Sequence, residues 1–148
     1  LTEGEAEIVH AFAILDLRFA ICGAAAILAL TMNENELKNR TKQFALRVLK
    51  LVAALPKTTE GRALGGQLVR SGTSVGANYR AACRGRSKAE FIAKLGIVEE
   101  EADESAYWME LITDGGLLSG RRVDGLWKEA CELTAIMAAS RLSASGRR

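Results

Sequence analysis

Arg80, Arg84, Arg86 and Lys88 crowd one short stretch of this chain, with Arg70 before them and Lys94 after. Cations at this density are suited to holding phosphate backbones, in a sequence-independent and salt-sensitive way. Arg80 and Arg84 stand four apart, so on a helix they share a face and repel each other unless an anion lies near. That anion can come from two sources. From 57 to 94 eight Lys or Arg stand against Glu60 and Glu90, and from 99 to 114 there are seven acids and no base. The arginines therefore either pair internally with the acids of 99–104, at small net gain if exposed, or present a surface to RNA or DNA. The formal net charge of +2 decides nothing; its segregation does.

The acidic run EEEADES (99–105) raises a different chemistry. Glu100 with Asp103 or Glu104 places two carboxylates on one helix face, as bundle di-metal sites do, but such sites also take a Glu-x-x-His from other helices. The single histidine is His10, and the first two helices offer almost no carboxylate at a seam position. No metal and no catalytic residue is expected, and no cofactor motif occurs. Cys22, Cys83 and Cys131 form no CxxC pair and are odd in number. That argues against a disulfide framework and for a reducing, cytoplasmic setting.

The run RSGTSVGANY (70–79) looks at first like a phosphate-binding loop. It lacks the Gly-Lys-Ser/Thr of a P-loop and no strand precedes it. Its apolar side instead keeps helical time. Leu64, Leu68, Ser71, Val75, Asn78 and Ala82 are spaced 4, 3, 4, 3, 4, the spacing of a bundle helix. Gly65, Gly72 and Gly76 would each cost about 1 kcal/mol in an ordinary helix. Their presence predicts a neighbour packed closely on them, either another helix of the chain or another subunit. Ser71 and Asn78 read as a small polar layer within the core or as a polar contact between subunits.

Three further segments share this period. One runs over 35–55 with Leu37, Thr41, Phe44, Val48, Leu51 and Leu55 inward, after a cap at Asn33 or Asn35, and stops at Pro56. Another opens on the capping-box pattern SKAE (87–90) and carries Phe91, Leu95, Val98, Ala102, Ser105, Met109 and Ile112 to Gly115-Gly116. The last spans about 119–143 with Val123, Leu126, Ala130, Leu133, Met137 and Ser140 inward, before a short frayed tail. Tyr79 and Tyr107 are offered either as base-stacking surfaces or as core; Trp108, Trp127 and Cys83 read as packing. The fold class is all-α, an antiparallel up-down-up-down four-helix bundle over 32–148.

Residues 1–31 differ in character. Four acids stand against Arg18, and the apolar stretch from Phe19 to Leu30 is too short to span a bilayer. The expectation is that the native product starts at Met32 and that 1–31 is a non-native or poorly ordered extension. The alternatives are an added amphipathic or membrane-touching helix and a targeting segment.

The blocks FALRVLKLVAALPKTTEG (44–61) and LVRSGTSVGANYRAACRGRSKAEFIAKLGIVEEEADESAYWMEL (68–111) carry a resemblance. The chain resembles the four-helix bundle family first noticed as products of intervening sequences inside bacterial 23S rRNA genes, over about Asn33 to Ser140. It is also similar to the accessory variability determinants of diversity-generating retroelements. The resemblance implies a non-enzymatic bundle that assembles as a homopentamer, with nucleic acid and a reverse transcriptase as partners and no membrane. It maps Arg70, Ser71, Ser74, Asn78 and Arg80 onto the family signature, and Arg86-Ser87 onto the turn before the third helix. Many members read Ala-Glu-Gly shortly after the asparagine; this chain has Arg80-Ala81-Ala82, so no role for that glutamate carries over.

Overall fold

The computed structural model describes residues 31–146 and, ahead of them, Ala24, Ile27 and Leu28. Apart from Thr31 and those three, the segment expected to be an extension lies outside the described residues, as do His10 and Cys22. Four helices form the domain: α1 (Glu34–Ala53), α2 (Thr59–Cys83), α3 (Lys88–Asp114) and α4 (Gly120–Ser145). They run up-down-up-down. Each packs chiefly on its neighbours in sequence, and α1 meets α4 along a lesser seam.

Local chemistry sets the helix boundaries. Asn33 and Glu36 form a reciprocal capping box, each side chain bonding the other residue's N–H at 2.9 Å, which satisfies two otherwise orphaned donors. Thr58 accepts from Gly61 N–H at 3.1 Å to open α2. Ser87 accepts from Glu90 N–H at 3.1 Å, but Glu90 returns its bond to the Arg86 N–H at 2.9 Å, one residue beyond a standard capping box. At the other ends, α1 leaves the helix at Ala53, two residues before the expected stop, because the chain turns ahead of Pro56. Gly116 and Gly146 take the left-handed conformation after α3 and α4, where glycine carries no Cβ penalty. The last helix reaches Ser145, so the first three residues of the stretch read as a frayed tail are helical.

α2 is flanked on two sides. Leu68, Ser71, Val75 and Ala82 are buried, and so are Gly65, Gly72, Gly76 and Tyr79. The glycines face α1. A Cβ on Gly72 would lie 2.8 Å from Val48 Cγ2, and one on Gly65 would lie 3.0 Å from Val52 Cγ1. Thr41 sits 3.4 Å from the equivalent point on Gly76. The other side of α2 meets α3, where the fully buried hydroxyls of Ser71 and Ser105 lie 2.9 Å apart. Ser105 also reaches the Glu101 carbonyl at 2.8 Å, so the polar pair is satisfied inside the chain.

Asn78 does not occupy the seam position that strict 4-3 spacing gives it. It is half-buried, bonding the Ser74 carbonyl at 2.9 Å, and Tyr79 is buried in that turn. The cause is geometric: 3.6 residues per turn drift against a 3.5 repeat, and a helix with two partners buries a wider face than one seam. Ser140, expected inward on α4, is likewise half-buried, while Ile136 is fully buried beside Met137.

The glycine face gives opposite expectations for one substitution. Gly72→Ala forces Val48 aside and should destabilise by about 1–2 kcal/mol net of the better helix propensity. Gly66→Ala, where no atom lies within 4 Å, should stabilise by about 0.5–1 kcal/mol. Urea unfolding midpoints of the two variants against the unchanged chain measure both signs.

Candidate nucleic-acid interface

Four of the six predicted cations converge on one corner of the bundle. Arg80 lies in the last turn of α2, Arg84 is its C-cap, Arg86 stands in the connection, and Lys88 is the first residue of α3. All four are exposed. Arg80 and Arg84 have a structural reason to be there, because cations at a helix C-terminus complement the dipole. Arg86 and Lys88 have none: they stand at the positive end of α3. No described carboxylate comes within ion-pair distance of any of the four.

Arg70 and Lys94 stand apart from this corner. Arg70 is ten residues back along α2, about 15 Å at the helical rise, and its guanidinium is held by Glu104 and, at 3.4 Å, by Glu101. Lys94 is half-buried further along α3. The acidic run is shared out elsewhere. Glu99 takes Arg141 of α4 at 2.8 Å, and Glu104 also accepts from the Trp108 indole at 3.1 Å. Internal pairing therefore accounts for Arg70 among the predicted cations and not for the corner. Among the described residues, no three His, Cys, Asp or Glu side chains group to hold a metal.

Beside the corner, Tyr79, Cys83, Lys88, Phe91 and Glu34 line an open cleft of about 410 Å³. Tyr79 is 7% exposed and Cys83 half-buried, so Tyr79 offers no face to a base. Tyr107 is exposed, its ring 5.0 Å from that of Trp108. Burial pushes the Tyr79 phenol above its ordinary 10.0, with Cys83 adding to the effect, and burial pushes the Cys83 thiol above its ordinary 9.0. Both stay neutral in the folded chain over a range where the unfolded chain ionises them. Their contribution to stability is complete below the unfolded values and is lost as pH rises past them. The melting temperature should fall above about pH 9, and fall less steeply in a Tyr79→Phe, Cys83→Ala chain; calorimetry across pH reads this.

Sequence reasoning passed over a second basic group. Arg47 and Lys50 of α1 and Arg121 and Arg122 of α4 line another cleft, of about 340 Å³. Its one sequence signal was the Arg121-Arg122 pair at a helix start with no acid in the first turn, against the usual charge preference.

A capped, antiparallel four-helix bundle with a basic corner and, among the described residues, no metal-binding group of side chains defines the class of protein. The sequence profile of the 23S rRNA-intervening sequence proteins matches residues 33–139, and the chain belongs to that family. It is similar to a crystal structure, at 1.70 Å resolution, of a protein with unknown function from the S23 ribosomal protein family of Bacteroides thetaiotaomicron VPI-5482. The identity is 31%, the TM-score 0.69, and the match covers 74% of this chain and 98% of that one. Among curated proteins there is no match. No helix among the described residues is long and apolar enough to cross a membrane.

Proposed function

We propose that this chain is a non-enzymatic, cytoplasmic bundle that assembles with copies of itself and binds RNA or DNA backbones through the α2–α3 corner. The observation that carries the reading is the state of Arg80, Arg84, Arg86 and Lys88. They are exposed and without a described carboxylate partner, although seven acids follow them closely in sequence. Like charges held together at this density are relieved by an external anion, and a phosphate backbone supplies a row of them. The family's name, which ties its members to 23S rRNA genes, agrees with a nucleic-acid setting. Self-assembly is supported by apolar side chains left on the outside: Leu46 and Leu49 on α1, Ile97 on α3 and Leu142 on α4. The same surfaces would serve a protein partner such as a reverse transcriptase.

The test is binding of the full chain to a structured RNA and to duplex DNA across a salt series, at an oligomeric state fixed by sedimentation; five is the number the family resemblance implies. Affinity should fall steeply as salt rises. Arg80→Ala, Arg84→Ala, Arg86→Ala should weaken binding and flatten the slope by about one for each phosphate no longer neutralised. Absence of binding even at low salt, with protein partners recovered after nuclease treatment, would make the chain an adaptor instead.

A further inference from the structure

The α1–α4 seam has two ends of opposite chemistry. At one end Arg40 of α1 reaches across to α4, its Nε and Nη2 bonding the two Glu129 carboxylate oxygens at 2.7 and 2.9 Å, and Glu132 also binds Nη2. Arg47 stands seven residues on, two turns along the same face of α1. Its Nη2 lies 3.6 Å from where a Cβ on Gly125 would stand, so it too reaches across to α4. What α4 offers it there is not a carboxylate but Arg121 and Arg122, while Lys50 adds a fourth cation from α1. The four ring the 340 Å³ cleft, which has Leu51 and Leu126 in its lining and no acid. Asp124, the nearest acid in sequence, is turned back toward Gly120. None of the four cations has a described ion-pair partner.

We infer that this cleft is an oxyanion site that takes phosphoryl groups. Two helices bring four positive charges to one small, open concavity, where their mutual repulsion is uncompensated within the described chain. A carboxylate ligand would answer one of those charges; a phosphoryl group or a pair of them answers several. Guanidinium forks match phosphate oxygens with paired hydrogen bonds. The first turn of α4 adds to this, because Ser119 makes no side-chain bond to its N–H groups and no acid lies in that turn. The cleft is separate from the α2–α3 corner, and the assignment does not rest on the function proposed for that corner. The phosphoryl groups can come from a free di- or triphosphate or from the phosphodiesters of a nucleic-acid strand.

The test uses the full chain with inorganic pyrophosphate, followed by titration calorimetry and by thermal melting against sodium chloride of equal ionic strength. Pyrophosphate should bind and raise the melting temperature. Arg47→Gln and Arg122→Gln should each weaken binding at least about tenfold, as loss of a charged hydrogen-bond donor does. In low salt without pyrophosphate the Arg122→Gln chain should melt no lower than the unchanged one, since repulsion is relieved; a purely structural arginine would lower it. Lys42→Gln, at an exposed lysine of α1 that lines neither cleft, should leave pyrophosphate binding intact. A single-stranded oligonucleotide identifies the source: affinity lost in Arg122→Gln marks phosphodiesters, and affinity retained marks a free phosphate. Melting unchanged beyond the salt control, or pyrophosphate binding by Arg47→Gln and Arg122→Gln as tight as by the unchanged chain, overturns the assignment.

Discussion

The close approach of α1 to α2 is the constraint on which the bundle depends. Val48 and Val52 occupy space that any side chain on Gly72 or Gly65 would fill, so α1 lies against α2's backbone. Glycine's helix penalty is offset by the dispersion contacts that fill this space. With α1 seated there, the adjoining side of α2 is left to α3, and it carries the one buried hydroxyl pair described between helices. Ser71 and Ser105 meet in this register, and each hydroxyl also reaches a carbonyl of its own helix, Leu68 at 3.4 Å and Glu101 at 2.8 Å. The pair therefore adds to the register set by packing without fixing it alone. Apolar close packing and one satisfied polar contact thus act on adjoining faces of the same helix.

Electrostatics shape the rest of the surface more than they stabilise it. Arg40 with Glu129 and Glu132 is a half-buried clamp whose bidentate geometry gives it more weight than an exposed pair. Arg70 and Arg141 tie acids of α3 to neighbouring helices, and both are well exposed, so their net contribution is small. Two sets of cations remain outside this pairing, at the α2–α3 corner and at the far end of the α1–α4 seam. Their positions put basic character on separate parts of the molecule, which the overall charge of +2 conceals.

Much of the architecture was legible because it is written locally. A cap at Asn33 or Asn35, the Ser87 start, the Gly115-Gly116 stop and most of the inward rows of α1, α3 and α4 depend on residues within a few turns of one another. The errors arose where two helices must be known together. Asn78 fitted the repeat, yet Tyr79 is the residue buried in that turn, because α2 is covered from two sides. Arg70 looked like a member of the basic cluster until α3 brought Glu101 and Glu104 beside it. The Arg47–Arg122 group was invisible in one dimension: its members lie on the first and last helices, and only the antiparallel return of α4 makes them neighbours.

The order of packing has a bearing on how the chain folds. Three of the four interfaces join helices adjacent in sequence, and the seam that joins the first helix to the last is the least extensive. Each hairpin can therefore consolidate from short loops, without the loop-closure entropy of a distant pairing. During synthesis α1 and α2 can dock before α3 has emerged, and α3 before α4. The glycine face of α2 is covered by its neighbour in sequence, α1, so its burial does not depend on the α1–α4 seam.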